Sequence, residues 1–154
     1  MDPAAAVLSR MKTQLAGLPA LLESVPRTAF DRRIGGKWSV TENIAHLGRY
    51  HEVFIERVHR LLSEEGPEFD AYSAEDDPEW AEWQGRSFEE VMQRLHAARD
   101  ALVAVLKDLT SDQWARTARH ARYGVLSLRG FVELFLVHEG HHLYVITRRG
   151  RGLE

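Results

Sequence analysis

The sequence predicts an all-α fold, a four-helix bundle with a long connection between helices two and three, and three observations lead there. Four stretches carry apolar residues at three- and four-residue spacing, the period of a helix that buries one face. Two of the stretches open on a Ser with a Glu three residues later, Ser39 with Glu42 and Ser87 with Glu90, which is capping-box spacing. No stretch alternates apolar and polar residues long enough to propose a sheet, and there is no sequence repeat. Amphipathic helices of such lengths bury their stripes against one another, which makes a bundle.

The first helix is expected to start with Asp2 as N-cap and Pro3 as first helical residue, and to run to about Glu23. Its stripe is Val7, Leu8, Met11, Leu15, Leu18 and Leu22. Pro26, Asp31 and the pair Gly35 and Gly36 mark a loop that ends at Ser39. The second helix buries Ile44, Leu47, Val53 or Phe54, Val58 and Leu61 or Leu62, and stops before Gly66 and Pro67. Residues 68–85 hold Phe69, Tyr72, Pro78, Trp80 and Trp83 without a clean period, so they read as a long connection of the kind that is often functional. The third helix runs from Ser87 to about Lys107 with Val91, Leu95, Ala98, Leu102, Val105 and Leu109 on one face. Thr110 and Gln113 have capping spacing for a short helical turn, and a loop around Gly124 follows. Ser127 opens the fourth helix, which carries Phe131, Leu134, Phe135, His138, His142, Val145 and Ile146 and ends at Gly150. The first and second helices, and the third and fourth, are expected as antiparallel neighbours.

A chain of 154 residues suits one compact domain, 1–154. With 44% hydrophobic and 28% charged residues it has the composition of an ordinary globular protein. The absence of cysteine excludes disulfides, thiolate zinc sites and a cysteine nucleophile, so any metal must be held by imidazole, carboxylate or water. A net charge of -3 with interleaved signs gives no field to hold a phosphate backbone, which excludes nucleic acid as a partner. The basic run Arg148, Arg149 and Arg151 reads as a solvated helix end. No secretory signal and no apolar run of membrane-spanning length is present, so neither export nor a membrane is expected and the cytoplasm is the expected setting.

His138 and His142 stand four apart on a helix, so their rings project from one face about one turn apart, which is a two-point grip on a metal. The other account of such a pair is two buried histidines satisfied by hydrogen bonds. His46, in the first turns of the second helix, is placed to supply a third imidazole. Three neutral nitrogens at about 2.0 to 2.1 Å leave coordination positions open for water or substrate, as in catalytic zinc sites. The string His138-Glu139-Gly140-His141-His142 also matches the H-E-x-x-H pattern of metalloproteases. Val145 stands where the extended motif needs Gly and only a dozen residues follow, which excludes a peptidase. Glu139 is then a candidate catalytic residue that orients an imidazole or moves a proton, or else a solvated helix carboxylate. Glu42 is explained by capping or as a partner of His46. His51 points about 140° away from His46, His141 lies off the ligand face, and His59, His96 and His120 have no partner at useful spacing.

The segment Lys37-Trp38-Ser39-Val40-Thr41-Glu42-Asn43-Ile44-Ala45-His46-Leu47 resembles the Trp-Ser entry into helix two of the DinB/YfiT-like four-helix metalloproteins, and the helix-four string is similar to their H-x-x-x-H pair. The resemblance covers nearly the whole chain. It implies His46, His138 and His142 as ligands of one divalent ion, zinc or nickel with iron or manganese as further options. Val145 and Ile146 stand where the family usually has a Gln. The resemblance also implies a homodimer, and a small-molecule substrate attacked by a low-molecular-weight thiol of the bacillithiol or mycothiol type, or by water. A non-catalytic metal-stabilised binding module is the other functional reading.

Overall fold

The computed structural model describes residues 3–154, and the N-cap expected at Asp2 lies outside the described residues. The first bundle helix is broken: α1 (Pro3–Thr13) passes through a 3-10 turn (Gln14–Gly17) into α2 (Leu18–Leu22). Gly17 weakens the helix and Pro19 lacks the N–H that would continue its ladder, so the helix restarts with Pro19 in its first turn. The second bundle helix is α3 (Val40–Ser63), capped by the expected box of Ser39 and Glu42. The connection contains β1 (Glu68–Phe69) and α4 (Trp80–Gln84). The third bundle helix is α5 (Phe88–Leu106), with its box of Ser87 and Glu90. The short α6 (Ser111–Ala115) is capped by Thr110 and Gln113 as expected; β2 (Thr117–His120), β3 (Gly124–Ser127) and α7 (Leu128–Gly150) follow.

Two core clusters fix the directions of the helices. One joins the starts of α3 and α5 (Ile44, Leu47, Val91, Leu95) to Leu18 and Leu22 of α2 and to Ile146 near the end of α7. The other joins the ends of α3 and α5 (Phe54, Leu61, Leu102, Leu106) to Met11 of α1 and to Phe131 and Phe135 early in α7. Thus α3 and α5 run parallel, and α1 and α7 run the opposite way. The main packing is of α3 on α5 and α7, and of α1 on α7 and α5. The first and second helices, and the third and fourth, are therefore antiparallel as expected, but they stand diagonally rather than as neighbours.

Parallel α3 and α5 require the intervening chain to travel back along the bundle, and residues 64–87 do so. α3 spans 24 residues, about 36 Å, a distance that a segment this long can cover. The returning chain is fastened near the start of α3. Trp83 packs so closely on Gly48 that a Cβ there would sit 2.3 Å from its ring. Trp83 Nε1 donates to Glu52 (3.0 Å), and Arg49 pairs with Asp77 at 2.6 Å.

A small sheet corrects the expectation that the chain holds none. β1 pairs parallel with β2 (Phe69 opposite His120), and β2 pairs antiparallel with β3 (His120 opposite Gly124). Strands of two and four residues are too short to display an alternating pattern. Gly124, at φ 74°, supplies the left-handed residue that ends the turn between β2 and β3. Among the described residues no helix is long and apolar enough to cross a membrane.

Candidate metal centre

The capping box at Ser39 fixes where α3 begins, and this seats His46 in the second turn, facing α7. His138 and His142 face it from the middle of α7. Nε2 of His46 lies 3.1 Å from Nε2 of His138, and one ring nitrogen from each of His46, His138 and His142 falls within 4.8 Å of the others. The ring centroids of His142 lie 4.4 Å from His46 and 4.6 Å from His138. Two nitrogens bound to one tetrahedral ion at 2.0 to 2.1 Å stand about 3.3 Å apart, close to the spacing of the first pair. The three side chains thus fit a single small cation.

Asn43, one turn before His46, sets the third ring. Its amide donates to the carbonyls of Trp38 (3.2 Å) and Ser39 (2.8 Å), which leaves Oδ1 to accept from Nδ1 of His142 at 2.8 Å. That bond places the proton of His142 on Nδ1 and leaves Nε2 as its lone-pair nitrogen. The resemblance segment contained Asn43, yet nothing in its spacing marked it for this role.

Burial, followed by the charge of neighbouring histidines, depresses all three imidazoles: His46 to about 3, His138 to about 4 and His142 to about 2. At neutral pH the cluster presents three uncharged nitrogen donors, the form in which imidazole binds a metal. Aromatic rings enclose it: Trp38 lies 5.0 Å from the His46 ring and Tyr72 lies 5.8 Å away, and the Tyr50 ring is 4.5 Å from that of His138. The Tyr72 hydroxyl donates to Asp77 (2.9 Å), which ties this wall to the returning chain. A cavity of about 300 Å³ opens onto His46 and His138. A larger one, about 570 Å³ and lined by Leu8, Lys107, Trp114 and Arg129, touches none of the three.

The remaining acids and histidines separate from this cluster. Glu139 is fully buried and turned to the other side of α7, where it pairs with Arg99 and accepts from Gln14 at 2.9 Å. It is neither a solvated helix carboxylate nor hydrogen-bonded to one of the three histidines. His51 is buried beside it, with Nδ1 on the Leu47 carbonyl (2.6 Å) and Nε2 3.7 Å from Glu139. Glu42 works as a cap: burial opposes its charge, but bonds from Arg33, the Ser39 N–H and Gln84 hold its carboxyl at about 2. His59 and His96 are exposed. His141 is exposed at the rim of the smaller cavity, and His120, on β2, lines the same cavity. His120 was unreadable as a site residue without the sheet.

A model of the DinB superfamily matches residues 10–146. A protein of Oceanobacillus iheyensis, whose name assigns it provisionally to the metal-dependent hydrolases, is 25% identical over 148 residues, covering 92% of this chain and 84% of its own length. The solved structure of YfiT from Bacillus subtilis is described as a probable metal-dependent hydrolase with an unusual four-helix bundle topology. It matches with a TM-score of 0.79 at 21% identity, over 98% of this chain and 89% of that chain, a likeness of fold.

Proposed function

This chain belongs to the DinB superfamily, and on that footing we propose that it is a metal-dependent enzyme whose divalent ion is held by His46, His138 and His142. The observation that carries the reading is the convergence of three uncharged imidazoles from α3 and α7, two of them with Nε2 atoms 3.1 Å apart. Zinc or nickel suits the three-nitrogen donor set, with iron or manganese as further candidates. Such an ion supplies Lewis acidity, lowering the pKa of a thiol or a water presented to it.

The chain's own groups do the rest. Asn43 holds His142 in one tautomer and orientation, and Trp38, Tyr50 and Tyr72 wall the centre. Among the described residues the cluster has no fourth His or carboxylate member, so coordination positions are left for a reactant. The cavity reaching His46 and His138 gives a small substrate access to them. That opening favours an enzyme over a non-catalytic module in which the ion only cross-links helices. The activated group is a low-molecular-weight thiol of the bacillithiol or mycothiol type, or water, and the names of the two relatives support water. Glu139 is assigned to holding α7 through Arg99 and Gln14 rather than to proton transfer. A homodimer, implied by the family resemblance, and a cytoplasmic setting, expected from the sequence, belong to the same proposal.

Elemental analysis of purified protein tests the centre. His46→Ala and His142→Ala each lose the bound ion, whereas His59→Ala, on the exposed face of α3, keeps it. Equal retention in all three removes the site. Thiol activation is tested by adding bacillithiol or mycothiol to the cobalt-substituted protein, where an unchanged visible spectrum leaves water as the activated group.

A further inference from the structure

We propose that the cavity beside the three histidines binds a small amphipathic oxyanion, with its charged head between Arg57 and Arg122 and its apolar body against Phe54, Phe131 and Leu134. This rests on the enzyme reading of the adjoining centre and names the class of molecule that centre acts on.

The charge of the cavity is one-sided. Among the described residues no Asp or Glu lines it, while Arg57 and Arg122 do, although the chain as a whole carries a net charge of -3. Arg33, Arg49, Arg60 and Arg99 all form ion pairs with acids. Arg57 and Arg122 form none among the described residues. Arg57, half-buried on α3, spends one N–H on the Asp70 carbonyl (2.7 Å) and lies over the Phe69 ring at 5.5 Å. These contacts fix the guanidinium without neutralising it. Arg122 sits on the exposed turn between β2 and β3, whose position is set by its own N–H bond to His120 Nδ1 at 3.1 Å.

Both cations line the cavity together with His120. Burial first, and then the charges of Arg57 and Arg122, push that imidazole down, with Asp70 opposing. Both guanidiniums thus act on one buried ring in the cavity wall. Two uncompensated cations on a partly enclosed, largely aromatic surface attract an anion more strongly than they would in open water. The planar guanidinium fork fits the two oxygens of a carboxylate or phosphate. The volume, about 300 Å³, is at the small end for ligand sites and admits a small molecule rather than a polymer. A molecule lying across this cavity places its uncharged end at His46 and His138.

The test is calorimetric titration of phenylbutyrate, phenyl phosphate and the neutral isostere phenylbutyramide into zinc-loaded and metal-free protein. The acid is expected to bind about ten- to a hundredfold more tightly than the amide in both forms, as a charge-assisted contact predicts. Phenyl phosphate compared with phenylbutyrate shows which oxyanion the arginines prefer. The double variant Arg57→Gln/Arg122→Gln is expected to lose that advantage, bind the amide as before and retain the wild-type zinc content. Equal binding of acid and amide, or an advantage that survives the double variant, overturns the proposal. Equal binding of acid and amide by the wild-type protein, with its zinc uptake intact, sinks this inference alone. Zinc uptake that ignores His46→Ala sinks the metal reading and leaves the oxyanion site standing.

Discussion

Replacing Glu139 with Gln separates structure from chemistry at the middle of the bundle. The side chains of Glu139 and Arg99 are 0% and 6% exposed, and they pair across the interior between α7 and α5. Arg99 also donates to the Met11 carbonyl at 2.8 Å, and Glu139 accepts from Gln14 at 2.9 Å, so the pair ties three bundle helices together. Burial lowers the guanidinium only to about 10, so it stays charged at neutral pH. Gln preserves the shape and one acceptor but leaves that cation without a counter-charge. Removing one partner of a buried pair costs about 3–5 kcal/mol, and the surviving amide contacts put Glu139→Gln at the lower end. For a chain of this size that lowers Tm by roughly 6–12 °C. Adding Arg99→Met removes the stranded charge and is expected to recover most of the loss. The assay is denaturant unfolding of the metal-free protein followed by circular dichroism, with zinc content measured on the same preparations. A single variant within about 0.5 kcal/mol of wild type, the scatter of ordinary surface changes, refutes the reasoning. Lost activity at unchanged stability would return the carboxylate to the reacting groups.

Asn43→Ala removes the acceptor that orients His142, and zinc affinity measured by chelator competition is expected to fall about 10- to 100-fold; an unchanged affinity rejects the assigned role. His46, His51, His138 and His142 are held at about 3, 3, 4 and 2 in the fold, against about 6.5 in the unfolded chain. The unfolded chain therefore takes up protons first as pH falls. The metal-free fold is expected to keep its stability above about pH 6.5 and to lose it below, by up to about 1.4 kcal/mol per pH unit for each histidine; equal unfolding midpoints at pH 7.5 and pH 5 would contradict this. Gly48→Ala drives a methyl to 2.3 Å from the Trp83 ring, with an expected cost of about 1–3 kcal/mol. Pairing it with Trp83→Leu should relieve that steric part, and a Gly48→Ala protein as stable as wild type would show that the returning chain is looser than its packing suggests.

The bundle was legible because its signals are local. Three capping spacings open α3, α5 and α6 at the expected residues, and Ser127 caps α7. The apolar period also found most of the stripes, but it missed Leu106, buried where Val105 was expected, and the fully buried Leu128, Val132 and Leu136 of α7. Helix order was not legible, since which stripes face each other depends on residues far apart in the chain. The break at Gly17 and Pro19 escaped because the apolar spacing of Leu15, Leu18 and Leu22 runs straight through it. At the candidate site, the one-turn spacing of His138 and His142 could be read directly, and His46 followed from its place on α3. Asn43 could not be read, because its role arises from a contact with His142, 99 residues away. Glu139 was misjudged in surroundings for a related reason. Its neighbours in sequence are histidines and Gly140, whereas its partners lie on α5 and the turn after α1.

The parallel course of α3 and α5 bears on how this protein comes to be assembled. Most helical bundles form rapidly because consecutive helices close as hairpins, so that contacts are short-range along the chain. Here the first and second helices, and the third and fourth, stand on diagonals, and α1 must find α7, its partner from the opposite end of the described chain. High contact order of this kind slows folding relative to an up-and-down bundle. His46 waits for His138, 92 residues later, so a chain still being synthesised holds only one of the three donors until α7 emerges. Acquisition of a metal would then report the last stage of folding, giving a kinetic marker that a stopped-flow experiment with a chromophoric ion can follow.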